Sequence, residues 1–222
     1  MRDGSISAWH YATREPVLIR CHGGALAEIK PAPNKPPEEL WVAPALVDVQ
    51  VNGFGGIDFQ RDQLSVEDLL DATRQLRSAG CTRFFLTLIT DAWPKLLARL
   101  EHLRRLRSQS PELRAALAGW HIEGPFLSPE PGYCGAHNPQ VMCDPTSAHI
   151  RELCAITGGD PLLLTLAPER SGALETIALA VSLGTRISLG HTNASADTLQ
   201  KAVQAGATGF THLGNACPKE LD

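Results

Sequence analysis

The stretch Trp120-His121-Ile122-Glu123-Gly124-Pro125-Phe126 decides how the rest of this chain is interpreted. It begins as a short apolar strand and runs into a loop, because a glycine followed by a proline ends a strand. Side chains alternate between the two faces of a strand, so His121 and Glu123 point one way while Trp120 and Ile122 point the other. The pattern predicts an inward-facing carboxylate at a strand tip. A glutamate in such a position is often only solvated, so a functional assignment needs further residues.

Two later stretches place a histidine at the same kind of strand end. Residues 187–194 and 209–216 each run from an apolar strand through a histidine, His191 or His212, into a short polar segment. One strand-end histidine is more often structural than a metal ligand. A glutamate oxygen with two imidazole nitrogens, however, suits Zn²⁺ or Fe²⁺, and three protein ligands leave a position open for water, as catalytic sites do. With Glu123, the histidines predict a catalytic site for one divalent metal ion, Zn²⁺ being preferred and Fe²⁺ the alternative.

Composition excludes several classes of protein. Of the 222 residues, 43% are apolar, so a sizeable core can form, and the net charge of −4 offers no electrostatic footprint for nucleic acid. The 6 cysteines show no CxxC spacing. No signal peptide opens the sequence, and no apolar run approaches the roughly 20 residues of a membrane span. These features predict a cytoplasmic protein with reduced thiols, whose partners include neither nucleic acid nor a membrane.

Residues 1–45 differ in pattern from the rest of the chain. Two short apolar runs flank a turn at Gly23-Gly24, and a proline-rich loop follows as far as Pro37. This pattern predicts a few strands of a small β-element whose core is too small to stand alone. We therefore expect one region at 1–45 and a second, larger one at 46–222.

The first strand of the second region alternates strictly between apolar and polar residues. Its valines at 47, 49 and 51 are expected on one face, with Asp48, Gln50 and Asn52 on the other. In a parallel α/β barrel, apolar side chains face the helices and polar ones gather near the mouth of the active site. The alternative is an amphipathic edge strand with its polar face in water. Taken alone, the pattern of this segment slightly favours that alternative.

Strand and helix patterns alternate through the rest of the sequence, which indicates a parallel sheet built from βα units. Candidate ligands at several strand ends favour an incomplete (β/α)8 TIM-type barrel of about six βα units over a doubly wound sheet. The absence of a GxGxxG motif after the first strand also argues against a doubly wound sheet. Ser65 and Asp68 predict a capping box at the first helix. The predicted strands span 46–52, 82–89, 113–123, 162–166, 186–189 and 208–212, and the predicted helices span 65–79, 93–107, 147–156, 171–183 and 195–205.

Six motifs along residues 44–217 form a specific set, although each is weak alone. They read DVQVNGFGG (48–56), HIEGPF (121–126), GAHN (135–138), LAPE (166–169), GHTNA (190–194) and THLGNA (211–216). In this order they resemble the N-acetylglucosamine-6-phosphate deacetylases of the amidohydrolase superfamily. The resemblance implies part of a small β-sandwich in residues 1–45 and a partial barrel of a metal-dependent hydrolase in residues 46–222.

The resemblance also implies roles for individual residues. Glu123, His191 and His212 match the three metal ligands. Gln50 and Asn52 stand where many amidohydrolases carry His-x-His for a second metal, so a single metal ion is implied. His137 matches the residue that polarises the acetamide carbonyl of the substrate. The positions that match contacts to the substrate are Ala136, His137, Asn215 and Ala216.

The implied reaction is hydrolysis of N-acetylglucosamine 6-phosphate to glucosamine 6-phosphate and acetate, in amino-sugar catabolism. Two departures from the family pattern stand out: Cys217 replaces a methionine, and the catalytic aspartate and further phosphate ligands of the family are expected beyond Asp222. The chain is thus expected to be a truncated form. Another amidohydrolase acting on an N-acyl or cyclic amide substrate, or a non-catalytic metal- or sugar-phosphate-binding remnant, is the alternative. A full-length family member is expected to be a homo-oligomer, either a dimer or a tetramer.

Overall fold

The computed structural model describes residues 3–214. By the contacts between residues, the chain divides into two compact units, Met1–Ala45 and Leu46–Asp222, and each is described by itself. The identification of residues 1–45 as part of a β-sandwich stays a prediction.

The first unit is a four-stranded sheet with the order β3-β2-β1-β4. Its strands are β1 (Gly4–His10), β2 (Pro16–His22), β3 (Ala25–Pro31) and β4 (Trp41–Val42). The turn at Gly23-Gly24 joins β2 to β3, and both glycines have positive φ angles, a conformation that glycine adopts without steric cost. Ala8, Ile19 and Pro36 are buried in this unit, which agrees with the expectation of a small core.

The second unit alternates strands and helices. Its strands are β5 (Leu46–Val51), β6 (Gly53–Phe54), β7 (Ile57–Asp58), β8 (Cys81–Ile89), β9 (Leu117–Glu123), β10 (Leu162–Leu166), β11 (Arg186–Leu189) and β12 (Gly209–Phe210). Its helices are α1 (Val66–Ser78), α2 (Trp93–Gln109), α3 (Pro111–Ala116), a 3-10 turn (Pro139–Val141), α4 (Ser147–Thr157), α5 (Ala173–Ser182) and α6 (Ala196–Gln204). Within residues 3–214, no helix has both the length and the apolar character needed to cross a membrane.

Six of these strands form one sheet with the order β12-β11-β10-β9-β8-β5, and all five neighbouring pairs are parallel. In a flat sheet the outer strands would lie about 24 Å apart, at 4.8 Å per strand. Gln50 of β5 nevertheless has its Nε2 only 3.3 Å from Nε2 of His212, just after β12. The sheet is therefore curled, as in an incomplete α/β barrel.

The helices form one layer against this sheet. Contacts link α1 with α2 and α3, α2 with α4, α4 with α5, and α5 with α6, whereas a doubly wound sheet would divide its helices between two faces. Between sheet and helices lies the core, to which β9 contributes Trp120 and Ile122, both fully buried. The two alternate residues of the strand, His121 and Glu123, face inward as the sequence predicts.

Several local predictions are confirmed and others are wrong. The capping box of α1 is formed by Ser65 and Asp68 as predicted. Residues 113–116 are not strand but belong to α3, because the Ser110 side chain caps the N–H of Leu113 and a proline occupies the first turn. The last predicted strand is shorter than expected and ends at Phe210.

The strict alternation predicted for β5 is also wrong. The pairing of β5 with β8 shifts register between Asp48 and Val51, as at a β-bulge, and a bulge reorients the side chains that follow it. Val51 is buried, whereas Val47 and Val49 are more than half exposed. The bulge thus separates the three valines that the pattern placed on one face.

Candidate metal centre

The three predicted ligands converge at the carboxyl end of the curled sheet. Glu123 is the last residue of β9, while His191 and His212 each follow the last residue of a strand by two positions. Oε1 of Glu123 lies 3.3 Å from Nε2 of His191 and 2.9 Å from Nε2 of His212. One ligand atom from each residue lies within 4.8 Å of the other two. Glu123 is buried, His191 is half-buried and His212 is exposed.

Both histidines have an unusual backbone conformation. The φ angle is 50° at His191 and 57° at His212, in the left-handed region that few residues other than glycine adopt. Such conformations cost about 1–3 kcal/mol and persist where the surroundings enforce them, often at functional sites. The turn before His191 is tight as well, because a Cβ on Gly190 would lie 2.9 Å from the Thr165 methyl carbon and 3.0 Å from Cβ of Thr211.

The electrostatics of the cluster favour an ionised carboxylate. Burial opposes the ionisation of Glu123, but the hydrogen bond from His191 and the positive charge of the neighbouring imidazoles lower the pKa of this carboxyl to about 2. Burial of His191 acts to lower the pKa of that imidazole, yet its hydrogen bonds to Glu123 and to the Tyr133 carbonyl raise the pKa overall. The negative charge of Glu123 is thus available to a cation at neutral pH.

The donor set fits a divalent metal ion. Nδ1–H of His191 donates to the carbonyl oxygen of Tyr133 at 3.1 Å, so its Nε2 is directed at Glu123. A bond of this kind from the distal ring nitrogen is typical of histidines that bind metals, because it fixes both the tautomer and the ring orientation. One carboxylate oxygen and two imidazole nitrogens suit Zn²⁺ or Fe²⁺.

The two first-strand positions differ in where they lie. Nε2 of Gln50 donates to Oε2 of Glu123 at 2.9 Å, so Gln50 is part of the centre. Asn52 is exposed, and its carbonyl oxygen accepts a hydrogen bond from the N–H of Phe59 at the small β6–β7 hairpin. Among the histidine, cysteine and acidic side chains of the described residues, Glu123, His191 and His212 form the group close enough to hold one metal ion.

His137 lies beside the ligands in a buried position. Its Nε2 is 3.9 Å from Oε2 of Glu123, and its ring packs against that of His191 with centroids 4.4 Å apart. Nδ1 of His137 lies 2.8 Å from the Thr90 hydroxyl. Burial, together with the nearby charge of His191, lowers the pKa of His137 to about 4, so the ring is neutral at neutral pH.

The remaining predicted positions are less informative. Ala136 is exposed in the loop that also carries His137. Asn215 and Ala216, which the resemblance assigns to the substrate, lie outside the described residues. Thr90, which lies beside His137, was not identified from the sequence; its position directly after the buried strand β8, close to a strand end as Glu123 is, is the signal that could have found it.

A buried polar layer lies on the inner face of the same strands, and sequence reasoning missed it. Nε2 of His121 lies 2.8 Å from Oγ1 of Thr165, which lies 2.8 Å from Oγ1 of Thr211. The Thr211 hydroxyl is in turn 2.7 Å from that of Ser188, and Nδ1 of His121 is 3.3 Å from the Thr87 hydroxyl. Burial lowers the pKa of His121 to about 4, so this ring too is neutral at neutral pH.

Comparison with known proteins points to one class of hydrolase. No family model matches the chain. Its relatives among curated proteins and solved structures are deacetylases of N-acetylated amino-sugar 6-phosphates, and the chain is homologous to these enzymes by both sequence and fold. The resemblance found in the sequence motifs is thereby confirmed.

The particular enzyme that recurs is N-acetylglucosamine-6-phosphate deacetylase. The chain is 35% identical over 181 residues to that enzyme from Bos taurus, covering 79% of this chain and 42% of the relative. It is 30% identical over 200 residues to N-acetylgalactosamine-6-phosphate deacetylase of Escherichia coli O157:H7, covering 89% and 52%. A mutant of the Mycobacterium smegmatis N-acetylglucosamine-6-phosphate deacetylase, solved with N-acetyl-D-glucosamine-6-phosphate, matches with a TM-score of 0.84 and 30% identity over 99% of this chain and 57% of that one. The chain thus spans about half the length of the curated relatives that it matches.

Proposed function

We propose that this chain carries the metal centre of an enzyme that hydrolyses the acetamide of N-acetylglucosamine 6-phosphate, releasing glucosamine 6-phosphate and acetate. The observation that carries the proposal is the convergence of one ionised carboxylate and two imidazoles, Glu123, His191 and His212, at the strand ends of a curled parallel sheet. Active sites of α/β barrels lie at this end of the strands. We further propose the domain assignment made above, with part of a β-sandwich at 1–45 and a partial barrel at 46–222.

Glu123, His191 and His212 are proposed to hold one Zn²⁺ ion, with Fe²⁺ as the alternative. When bound, the metal supplies a water molecule of lowered pKa as the nucleophile and polarises the amide carbonyl. Gln50, which donates to Oε2 of Glu123, holds the carboxylate in place and brings no second imidazole, in keeping with a site for a single metal ion.

His137 is proposed to stabilise the charge that develops on the carbonyl oxygen of the substrate. This role requires a neutral ring with its proton on Nε2, and the lowered pKa of His137 keeps the ring neutral at neutral pH. The hydroxyl of Thr90 lies 2.8 Å from Nδ1 of His137 and 3.3 Å from the carbonyl oxygen of Glu123, and it supports this tautomer when its single proton is directed at Nδ1. A neutral imidazole then presents Nε2–H on the side that faces the metal ligands.

The reaction also needs a carboxylate that moves a proton from the attacking water to the leaving amine. The resemblance places that aspartate beyond Asp222. Asp48 offers no substitute, because it lies in the middle of β5 and not at the carboxyl end of that strand, and its Oδ1 accepts a hydrogen bond from the N–H of Gln50. We therefore expect the metal centre in residues 1–222 and complete catalysis only when the remaining part of the barrel is supplied.

Metal analysis tests the first part of the proposal. Purified chain is loaded with Zn²⁺, dialysed, and analysed for metal by mass spectrometry, alongside His191→Ala and His212→Ala. We expect about one Zn²⁺ per chain in the wild type and a large loss in both variants. His22→Ala is the matched control, because the His22 side chain is 82% exposed and, among the described residues, its ion pair is with Asp3. Unchanged stoichiometry in both ligand variants would show that the site is wrongly assigned.

An amine-release assay tests the substrate class. Residues 1–222 alone are expected to show no turnover, whereas co-expression with the C-terminal half of a related deacetylase is expected to restore it. N-acetylglucosamine 6-phosphate, its galactosamine epimer and unphosphorylated N-acetylglucosamine are compared, because relatives with both hexosamine names match the chain. Turnover of a different N-acyl or cyclic amide, with none of the phosphorylated sugars, would favour another amidohydrolase activity.

A further inference from the structure

The carboxylate of Glu169 binds the turn that directly follows His191. Its Oε1 accepts a hydrogen bond from the backbone N–H of Asn193 at 2.7 Å, and its Oε2 accepts one from the Thr192 hydroxyl. That hydroxyl also accepts from the N–H of Ala194 at 3.0 Å. Glu169 lies in the loop after β10, so it joins this loop to the loop after β11.

The loop after β9 holds the same turn from another direction. The N–H of Ser128 donates to the carbonyl oxygen of His191 at 2.9 Å, and the Tyr133 carbonyl accepts from the ring of His191. The side-chain amide of Asn193 donates to Oε2 of Glu130 at 2.7 Å. His191 is thus fixed by its ring and its carbonyl on one side, and by Glu169 on the two residues that follow it.

This arrangement explains how His191 keeps its left-handed backbone. A non-glycine residue with a φ angle of 50° relaxes unless the flanking peptide groups are held. Glu169 holds the peptide group two positions onward through a charge-assisted hydrogen bond, which is about twice as strong as a neutral one. Glu169 has no hydrogen bond to Glu123, His212 or His137 among those of residues 3–214, so its effect on the centre passes through the backbone of His191.

We propose that Glu169 is a positioning residue of the metal centre: by binding the Thr192-Asn193 turn, it fixes the backbone of His191 and directs Nε2 of that ring toward Glu123. This inference rests on the proposed metal site and adds a residue that lies outside the ligand set. Residues that orient metal ligands typically change metal affinity by 10–100-fold when they are mutated.

Cobalt titration tests the proposal without any need for turnover. Co²⁺ is added to the chain, and its visible absorption reports both the affinity and the coordination geometry. Glu169→Ala is expected to weaken Co²⁺ binding by about 10–100-fold and to shift the absorption bands of the bound ion. Glu169→Gln is expected to recover much of the affinity, because an amide oxygen still accepts from Asn193 and the amide N–H can donate to the Thr192 hydroxyl.

The control is Glu175→Ala, which removes an exposed glutamate that has no hydrogen bond or ion pair among those of the described residues; it is expected to bind Co²⁺ like the wild type. Thermal melting of each variant separates loss of the site from loss of the fold. If the alanine variant is unfolded, the Co²⁺ affinity of Glu169→Gln is compared with that of the wild type instead. Wild-type affinity and bands in Glu169→Ala, or no recovery in a folded Glu169→Gln, would overturn the proposal. Absence of Co²⁺ binding in the wild type would instead overturn the metal site itself, and the proposal with it.

Discussion

Replacing Thr165 by valine tests whether the buried polar layer stabilises the sheet. The Thr165 side chain is fully buried, and its hydroxyl lies 2.8 Å from Nε2 of His121 and 2.8 Å from the hydroxyl of Thr211. Valine has nearly the same shape, so the substitution leaves no cavity and its effect is that of the lost hydroxyl. Thr211 retains its bond to Ser188, but Nε2 of His121 is left without its partner.

The expected cost follows from that single orphaned group. A buried polar atom that loses its partner destabilises a protein by about 1–3 kcal/mol, and we expect the free energy of unfolding to fall by this amount. The double variant His121→Leu/Thr165→Val removes both partners and is expected to be more stable than Thr165→Val alone, because apolar replacement of both members of a hydrogen bond is close to neutral. The two substitutions are therefore expected to be non-additive.

Urea unfolding, followed by circular dichroism and by tryptophan fluorescence, measures these free energies. Thr208→Val is the matched control, since Thr208 is exposed and its side chain has no hydrogen bond among those of the described residues. The reasoning is refuted if Thr165→Val changes the unfolding free energy by less than about 0.5 kcal/mol, the scatter of surface substitutions. A double variant that is as unstable as the sum of the two single variants would also contradict it.

Three further predictions concern a helix cap and the metal centre. Ser65→Ala removes the cap of α1 and is expected to lower the unfolding free energy by about 1 kcal/mol in urea melts, whereas Ser171→Ala, at an exposed serine, should have no effect. Gly135→Ala would place a Cβ 2.9 Å from Cε1 of His191, so it is expected to weaken Co²⁺ binding; an unchanged dissociation constant would contradict this packing. In the co-expressed, complete enzyme, His137→Asn is expected to lower kcat by about 10²–10³-fold at unchanged metal content, and near-normal kcat would leave this residue only a packing role.

Local chemistry in the sequence predicted much of the fold and the inward direction of the side chains at the candidate metal centre. The capping box at Ser65 depends on residues three positions apart, and the inward direction of Glu123 depends on its own strand alone. Such features can be read from a short window because the interactions that decide them lie within it. The helix α3 was missed because it has only 6 residues. An apolar helical pattern becomes recognisable over a window of about 11–18 residues.

Contacts between strands that are far apart in the chain could not be predicted from the sequence. His121 bonds to Thr165, 44 positions later, and threonine in a buried strand gives no sign of whether its hydroxyl has a partner. The bulge in β5 depends on its register with β8, which the alternating valines do not encode. Both features follow from how parallel strands are aligned, and that alignment is set by the packing of the whole sheet.

His191, a proposed metal ligand, shows how local and distant determinants combine in one residue. A histidine after a strand is visible in the sequence, but the left-handed φ angle of His191 is maintained by Glu169 from one loop and by Ser128 and Tyr133 from another. A left-handed residue at this point turns the chain sharply where the strand ends, which allows the imidazole to lie over the sheet. The LAPE motif (166–169) contributed to the family resemblance, but none of its residues had a proposed role. Its glutamate, Glu169, is the hydrogen-bond acceptor that keeps the turn after His191 in place.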